Sequence, residues 1–394
     1  MTENEHERPE AGTIVDESVD SPVEASGQQL DDDLLVASQW QLMWWKLKRH
    51  RLAMVSGVVL ILMIALSLFA DFFAPYQPRS RHAGYVLAPP TRIRFISEDG
   101  FSLRPFVYGL SRSIDLDTGV RIYEPDPQRR YELGLFVRGE AYQLWGMIEW
   151  DVHLVGPRDP DGKLFLMGTD SLGRDLYSQV LFGGRATISI ALLGVFLSVT
   201  LGLIIGGLSG YFGGPLDNFV QRLSEVLQSY PSIPLWMALS ASLPREWSPL
   251  QVYAGIVVIL SVVGWTSLAR QIRSRVLSLK TEDFVIAARV NGCSTARLLR
   301  IHLLPSIMSH IIASLSLSIP GMIIAETSLS FIGIGLTRPV ISWGVLLQQA
   351  QNLRALMFAP WLLAPGIFVV ITVLAFNFVG DGLRDAADPY STLI

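Results

Sequence analysis

Asp170 and Asp175 bracket Gly173-Arg174 in the run Gly168-Thr169-Asp170-Ser171-Leu172-Gly173-Arg174-Asp175. Paired carboxylates suit general acid–base hydrolysis. That chemistry also needs an apolar pocket, a nucleophile or a metal ligand beside them, and the sequence around the pair supplies none. Glu326 is the other acid that invites a role, because it closes a long uncharged stretch. The histidines are His6, His50, His82, His153, His302 and His310. No two stand four residues apart on one helix, so a helical zinc pair is absent. The single cysteine, Cys293, excludes an internal disulfide. Gly156–Lys163 imitates a phosphate-binding loop but is one residue too long, with Leu164 where a Ser or Thr is required. No other nucleotide loop occurs, so any ATP chemistry is expected to belong to a partner, with no metal or cofactor held by this chain.

The elements that carry these residues are written in hydropathy. Of 394 residues, 50% are hydrophobic and only 17% charged, against roughly 25% charged in soluble proteins. The net charge of -4 argues against nucleic acid as a partner. A membrane-crossing helix needs about 20 apolar residues. Six runs free of Asp, Glu, Lys and Arg approach or exceed that: Leu52–Ala70, Ala186–Gly210, Val226–Leu243, Trp247–Ala269, Leu303–Ala325 and Ala355–Gly380. The third is the weakest, since Tyr230-Pro231 and Pro234 interrupt it. Lys46, Lys48, Arg49 and Arg51 precede the first run, and Arg270, Arg273, Arg275, Lys280, Arg289, Arg297 and Arg300 follow the fourth. Positive short flanks stay in the cytoplasm. Six spans put both flanks on that side, with both termini cytoplasmic in a bacterial inner membrane and lipid as the surrounding solvent.

The expected organisation is an all-α polytopic membrane protein with six transmembrane helices and a small β-rich periplasmic insert. Residues 1–38 form an acidic, Pro/Ser/Gly-bearing tail whose composition reads as disordered. Residues 39–74 hold an interfacial helix and the first span. Residues 75–166 form the insert, with β-like pieces punctuated by Asp99-Gly100, Asp117-Thr118-Gly119 and Asp161-Gly162. Residues 167–394 form the core with five spans and a cytoplasmic loop, 270–305.

That loop reads Thr281–Gly292 and then Cys293–Pro305. Two short helices joined near Gly292 fit it, since glycine permits a reversal at positive φ. Ser294 is placed to cap the second helix, and Pro305 to start or kink the next span. Ala287 and Ala288 keep one face small enough for a close-fitting groove. Asp170 and Asp175 suggest a polar, partly amphipathic helix at the outer interface. Gly202, Gly206 and Gly210 recur at i,i+4 and suit close helix packing. Glu326, with Ser328 beside it, is placed either to line a pathway or gate, or to hold the Ser-Leu-Ser-Phe turn through a helix terminus or an Arg.

The spacing Ala287-Ala288-Arg289, Gly292 and Leu304-Pro305 resembles the cytoplasmic coupling motif of ATP-binding-cassette (ABC) importer permeases. Two positions depart: Ile286 replaces the usual Glu, and His302 the usual Ile. Further blocks run in order: Phe73-Ala-Pro-Tyr76, Gly168–Asp175, Leu181–Arg185, Gly210–Gly214, Glu326–Gly335, Ser342-Trp-Gly344 and Phe376–Asp385. Together they resemble the C-type permease of dipeptide, oligopeptide and nickel importers. The resemblance implies an ABC importer permease fold, a second homologous permease, two cytoplasmic ATPases holding ATP and Mg, and a periplasmic substrate-binding protein. It implies transport of peptides or, alternatively, of oligosaccharides or nickel chelates. A secondary transporter would instead show inverted repeats and midplane charges, and a membrane-anchored enzyme a nucleophile–base or metal spacing. Neither is found.

Overall fold

The structure, a computed structural model, describes residues 39–97, 100–114, 116, 121–244 and 246–387. The tail 1–38 lies outside them. Helix α1 (Gln39–Arg49) ends on Lys46, Lys48 and Arg49. It turns at His50, whose Nδ1 accepts the Ala53 N–H (3.0 Å) and caps α2 (Arg51–Leu68). On α2, Ala53, Ser56, Leu60, Met63 and Ser67 form one buried stripe. Val55, Val58, Ile61 and Leu62 are exposed, an apolar outer face that only lipid satisfies.

Four antiparallel strands follow: β1 (Arg94–Ser97), β2 (Gly100–Ile114), β3 (Arg121–Leu144) and β4 (Ile148–Pro157). They form successive hairpins that share β3. Its first half pairs with β2, to Phe106↔Glu132, and its second half with β4, from Leu133↔Pro157. Val107, Leu133 and Leu164 form the small core of this insert. It is stapled to the end of the first span: the His153 ring bridges the Ala74 and Glu140 carbonyls (2.5 and 2.9 Å). Glu140 in turn accepts from Gln77 N (2.9 Å) and Ser80 Oγ (2.6 Å).

The remaining helices build the core: α3 (Leu176–Phe212), α4 (Gly214–Ser229), α5 (Ser232–Ala241), α6 (Pro249–Leu279), α7 (Asp283–Val290), α8 (Leu304–Ile332), α9 (Trp343–Leu347) and α10 (Ala364–Ala387). At 1.5 Å per residue, α3 is about 55 Å long and α6 about 46 Å, so both outreach the hydrocarbon layer. The main apolar cluster joins α3, α6, α8 and α10, with Ile190, Val195, Leu260, Ile272 and Ile323 buried at its centre. Gly202, Gly206 and Gly210 lie against α6: a Cβ on Gly206 would sit 2.8 Å from Ala269 Cα, and one on Gly210 3.1 Å from Arg273 Cα.

Five helices of the described residues are long and apolar enough to cross a membrane: Arg51–Leu68, Leu176–Phe212, Pro249–Leu279, Ile311–Ile332 and Pro360–Ala387. The third expected run differs. Pro231 lacks an N–H and holds Tyr230 extended (ψ 141). The run is therefore divided between α4 and the ten-residue apolar helix α5.

Candidate functional site

The segment 168–175 is a tight buried loop rather than the expected amphipathic helix. Gly168 and Gly173 both have positive φ (71 and 72), and Thr169 bridges Asp175 across the loop's base. The Asp170 carboxylate organises it. Oδ1 accepts from Leu172 N (2.8 Å) and Arg174 N (2.9 Å). Oδ2 accepts from Arg174 Nε (2.8 Å) and Nη2 (2.6 Å) and from Gln179 Nε2 (3.2 Å). Arg338 approaches the same oxygen at 3.6 Å. Asp175 caps α3, accepting from Ser178 N (2.8 Å) and Oγ (2.5 Å). Burial away from water pushes its carboxyl up to about 7. The loop binds remote chain: Thr169 Oγ1 accepts from Ala88 N (2.8 Å), Gly173 O from His82 N (2.9 Å), and Thr169 O from Trp361 Nε1 (3.0 Å). Asp170 is spent on internal partners and Asp175 on capping α3 through one oxygen, which suits a joint between insert and spans and not an acid–base pair.

At the other end of the core, α7 closes in a Schellman turn. Gly292 N donates to Arg289 O (3.0 Å) and Cys293 N to Ala288 O (3.1 Å), with Gly292 at φ 77. A Cβ on Gly292 would meet nothing within 4 Å, so its backbone angle alone demands glycine. The second expected helix is a single turn, Thr295–Arg297, which runs through a π turn, Leu298–Leu303, into α8. Pro305, at the second position of α8, has no N–H to offer the preceding turn, which widens instead. Ser294 stands at the cap position without a side-chain capping bond. The two alanines divide. Ala288 packs on the chain's own core, while Ala287 is exposed on one face with Phe284 and Val290. Arg289 is exposed, its guanidinium 5.7 Å from the Tyr211 ring. Leu304 is half-buried.

Close to the α7 end, where α2 and α8 begin and α6 and α10 finish, opens a cavity of about 1330 Å³. Its polar wall is Ser267, Gln271, Arg275 and Ser278 of α6, Ser306, Ser314 and Ser318 of α8, and Asp381, Arg384 and Asp385 of α10, interleaved with apolar residues such as Leu268, Leu317 and Phe378. The α6 residues repeat at i, i+4, i+8 and i+11, which gathers polar groups on one helix face. Ser314 Oγ donates to Gln271 Oε1 across the gap (3.0 Å).

Glu326 does not line this cavity. Its fully buried carboxyl accepts from Ser330 Oγ (2.8 Å), and Thr187, Thr327 and Ser342 surround it. Ser330 Oγ also accepts the Leu336 N–H (3.0 Å). No Arg pairs with Glu326 among the described residues. Ser328 is half-buried beside it. The acid thus holds the turn after α8 through the Ser330 hydroxyl, which links it to Leu336 N.

Sequence reasoning passed over Asp217. It takes a two-pronged ion pair from Arg273 (Nε–Oδ1 2.5 Å, Nη2–Oδ2 2.5 Å) and a hydrogen bond from Ser209 Oγ (2.5 Å). This clamp ties α3, α4 and α6 together beside Gly210, which packs against the Arg273 backbone. The signal was faint: an acid three residues past Gly213-Gly214, and one Arg among several after the fourth run.

Two family models match the chain. The model for the inner membrane component of binding-protein-dependent transport systems covers residues 198–390. The model for the N-terminal transmembrane domain of oligopeptide transport permease C covers residues 38–90. Strands β1 to β4 fall between the two. Among curated relatives, the oligopeptide transport permease OppC of Bacillus subtilis is 36% identical over 60% of this chain and 75% of its own length. OppC of Escherichia coli K12 is 38% identical over 61% and 77%. The dipeptide permease DppC of Bacillus subtilis is 36% identical over 56% and 68%. A solved inward-facing MetNI methionine ABC transporter aligns with 53% of this chain at 18% identity and a TM-score of 0.41, a likeness too slight to carry a conclusion. By the extent of the OppC matches, the chain belongs to the inner membrane components of binding-protein-dependent transport systems, as a C-type permease subunit of an ABC importer, a multi-pass membrane protein and not itself an enzyme.

Proposed function

We propose that this permease forms half of a pore that carries oligopeptides or dipeptides from periplasm to cytoplasm, with 270–305 as its handle for a separate ATPase. The observation that carries the reading is the exposed apolar face of α7: Phe284, Ala287 and Val290 lie uncovered on a helix flanked by basic chain. In water such a face calls for a protein partner. The relatives' names supply the cargo class, peptides. The polar cavity of α6, α8 and α10 suits it, since serine and glutamine hydroxyls and amides can exchange hydrogen bonds with a peptide backbone without fixing its side chains. A second homologous permease would wall the cavity's open side. A periplasmic binding protein would deliver cargo, and two ATPases would hold ATP and Mg.

Six crossings fit best, with α4 and α5 together supplying the third. The basic flanks of α1 and of the α6–α7 turn share a side only if an even number of crossings separates them. Both termini and α7 are then cytoplasmic, and the β insert periplasmic. ATPase closure would pull α7, and α6 and α8 would follow as rigid bodies.

Ala287→Trp tests the handle. Its side chain points away from the core, so membrane insertion should be unchanged while ATPase copurification and ATP-driven peptide uptake fall together. Normal copurification and uptake in that variant would remove α7 from the coupling role.

A further inference from the structure

We infer that the β3–β4 hairpin of the insert is a membrane anchor, seated in the lipid headgroup layer at the Leu68 end of α2. The hairpin tip reaches the end of a crossing helix. Trp145 Nε1 donates to Leu68 O (3.0 Å), the last residue of α2. The Trp145 ring lies 5.3 Å from Phe69. Phe72, one turn on, stacks with Trp150 at 6.3 Å and lies 6.1 Å from Phe136. These contacts fix the height of the tip, because Leu68 ends a span of mean hydropathy 2.3.

At that height the hairpin is amphipathic. Strand alternation sends Ile148 and Trp150 to one face and Glu149 to the other, opposite Gln143. Ile148 is 54% exposed, Trp150 47%, Trp145 46% and Met147 77%. Those apolar surfaces stand beside the end of α2, where Leu68 and the following Phe69 are exposed as well. Tryptophan is enriched at the bilayer interface, where its ring meets acyl chain and its N–H finds a polar partner. Trp145 has the exposed ring and the satisfied N–H that such a site requires, and it also sits at positive φ (52), with Gly146 (73), at the centre of the tight turn Leu144–Met147. That turn ordinarily takes Asn or Gly, so an aromatic there is held against its backbone preference. Leu116, between β2 and β3, is 95% exposed and serves as the comparison. The inference requires only that α2 crosses a bilayer, and does not depend on what the protein carries.

The test uses the full chain in vesicles of phosphatidylcholine and phosphatidylglycerol, on a Cys293→Ser background. Met147→Cys and Leu116→Cys, both at exposed positions, are each labelled with an environment-sensitive fluorophore. Quenching is read with phosphatidylcholine spin-labelled near its headgroup or near its chain end, and with aqueous iodide. At Met147→Cys, headgroup-level spin labels should quench at least about two-fold more than chain-end labels, and iodide several-fold less than at Leu116→Cys, as for an interfacial depth of about 5–10 Å. Free access of iodide to both sites overturns the anchor. Protection from iodide without lipid quenching also overturns it and assigns the surface to a protein neighbour.

Discussion

Single residues of this permease are constrained by what lies one atom away. Gly206 and Gly207 are neighbours on α3, yet a Cβ on Gly206 meets the Ala269 backbone while one on Gly207 meets nothing within 4 Å. Gly206→Ala should destabilise the protein by about 1–3 kcal/mol through overpacking. Gly207→Ala should leave stability unchanged or raise it by up to about 1 kcal/mol by favouring helix. Thermal unfolding in detergent distinguishes the two. Asp175 makes a pH prediction. Its folded carboxyl is pushed up to about 7, so the folded state prefers the neutral acid. That preference is fully present below about pH 4, where the unfolded carboxyl also holds its proton, and is lost as pH rises towards about 7. Asp175→Asn keeps a capping oxygen without the charge, and its melting temperature should lack this decline. His82, whose burial lowers its ring below the usual range, works in the opposite direction by losing stability as pH falls. The difference between wild type and the Asn variant therefore isolates Asp175.

At the scale of elements, Gly292 sets the angle between α7 and the turn into α8. Gly292→Val meets no steric wall but must hold a β-branched residue at positive φ, a conformation that costs roughly 1–2 kcal/mol and is relieved by opening the turn. Membrane content should stay normal while ATPase association and uptake fall, as read by copurification and transport in the same vesicles. How legible each element was in the sequence followed the range of its cause. The long helices announced themselves because a membrane forbids charge over a whole span, and Gly292 because a Schellman turn is local. Loop 168–175 was misread as a helix because its burial depends on His82, Ala88, Arg338 and Trp361, all remote in sequence. The shared strand β3 was equally hidden, since its change of partner at Glu132–Leu133 is set by neighbours that spacing cannot register. Ala287 and Ala288 read alike in the sequence, and only the packing of α7 separates them.

At the scale of the whole molecule, two joints fasten the helices at opposite ends of the core, and the cavity opens at the α7 end. The loop 168–175 fastens the insert to α3, and the Asp217–Arg273 clamp fastens α3 and α4 to α6 beside α7. In the proposed coupling, a pull on α7 would reach α6 and α8, the helices it directly connects, whose serines line the cavity. Ser314 on α8 reports most directly on whether that cavity is the path. With Ser314→Cys on a Cys293→Ser background, the assembled transporter is treated with a membrane-impermeant thiol reagent from the cytoplasmic side, with and without trapped ATP. The account predicts labelling without nucleotide, protection when ATP is trapped, and loss of peptide uptake once labelled. A thiol that reacts equally in both states, or whose labelling leaves uptake intact, would contradict it.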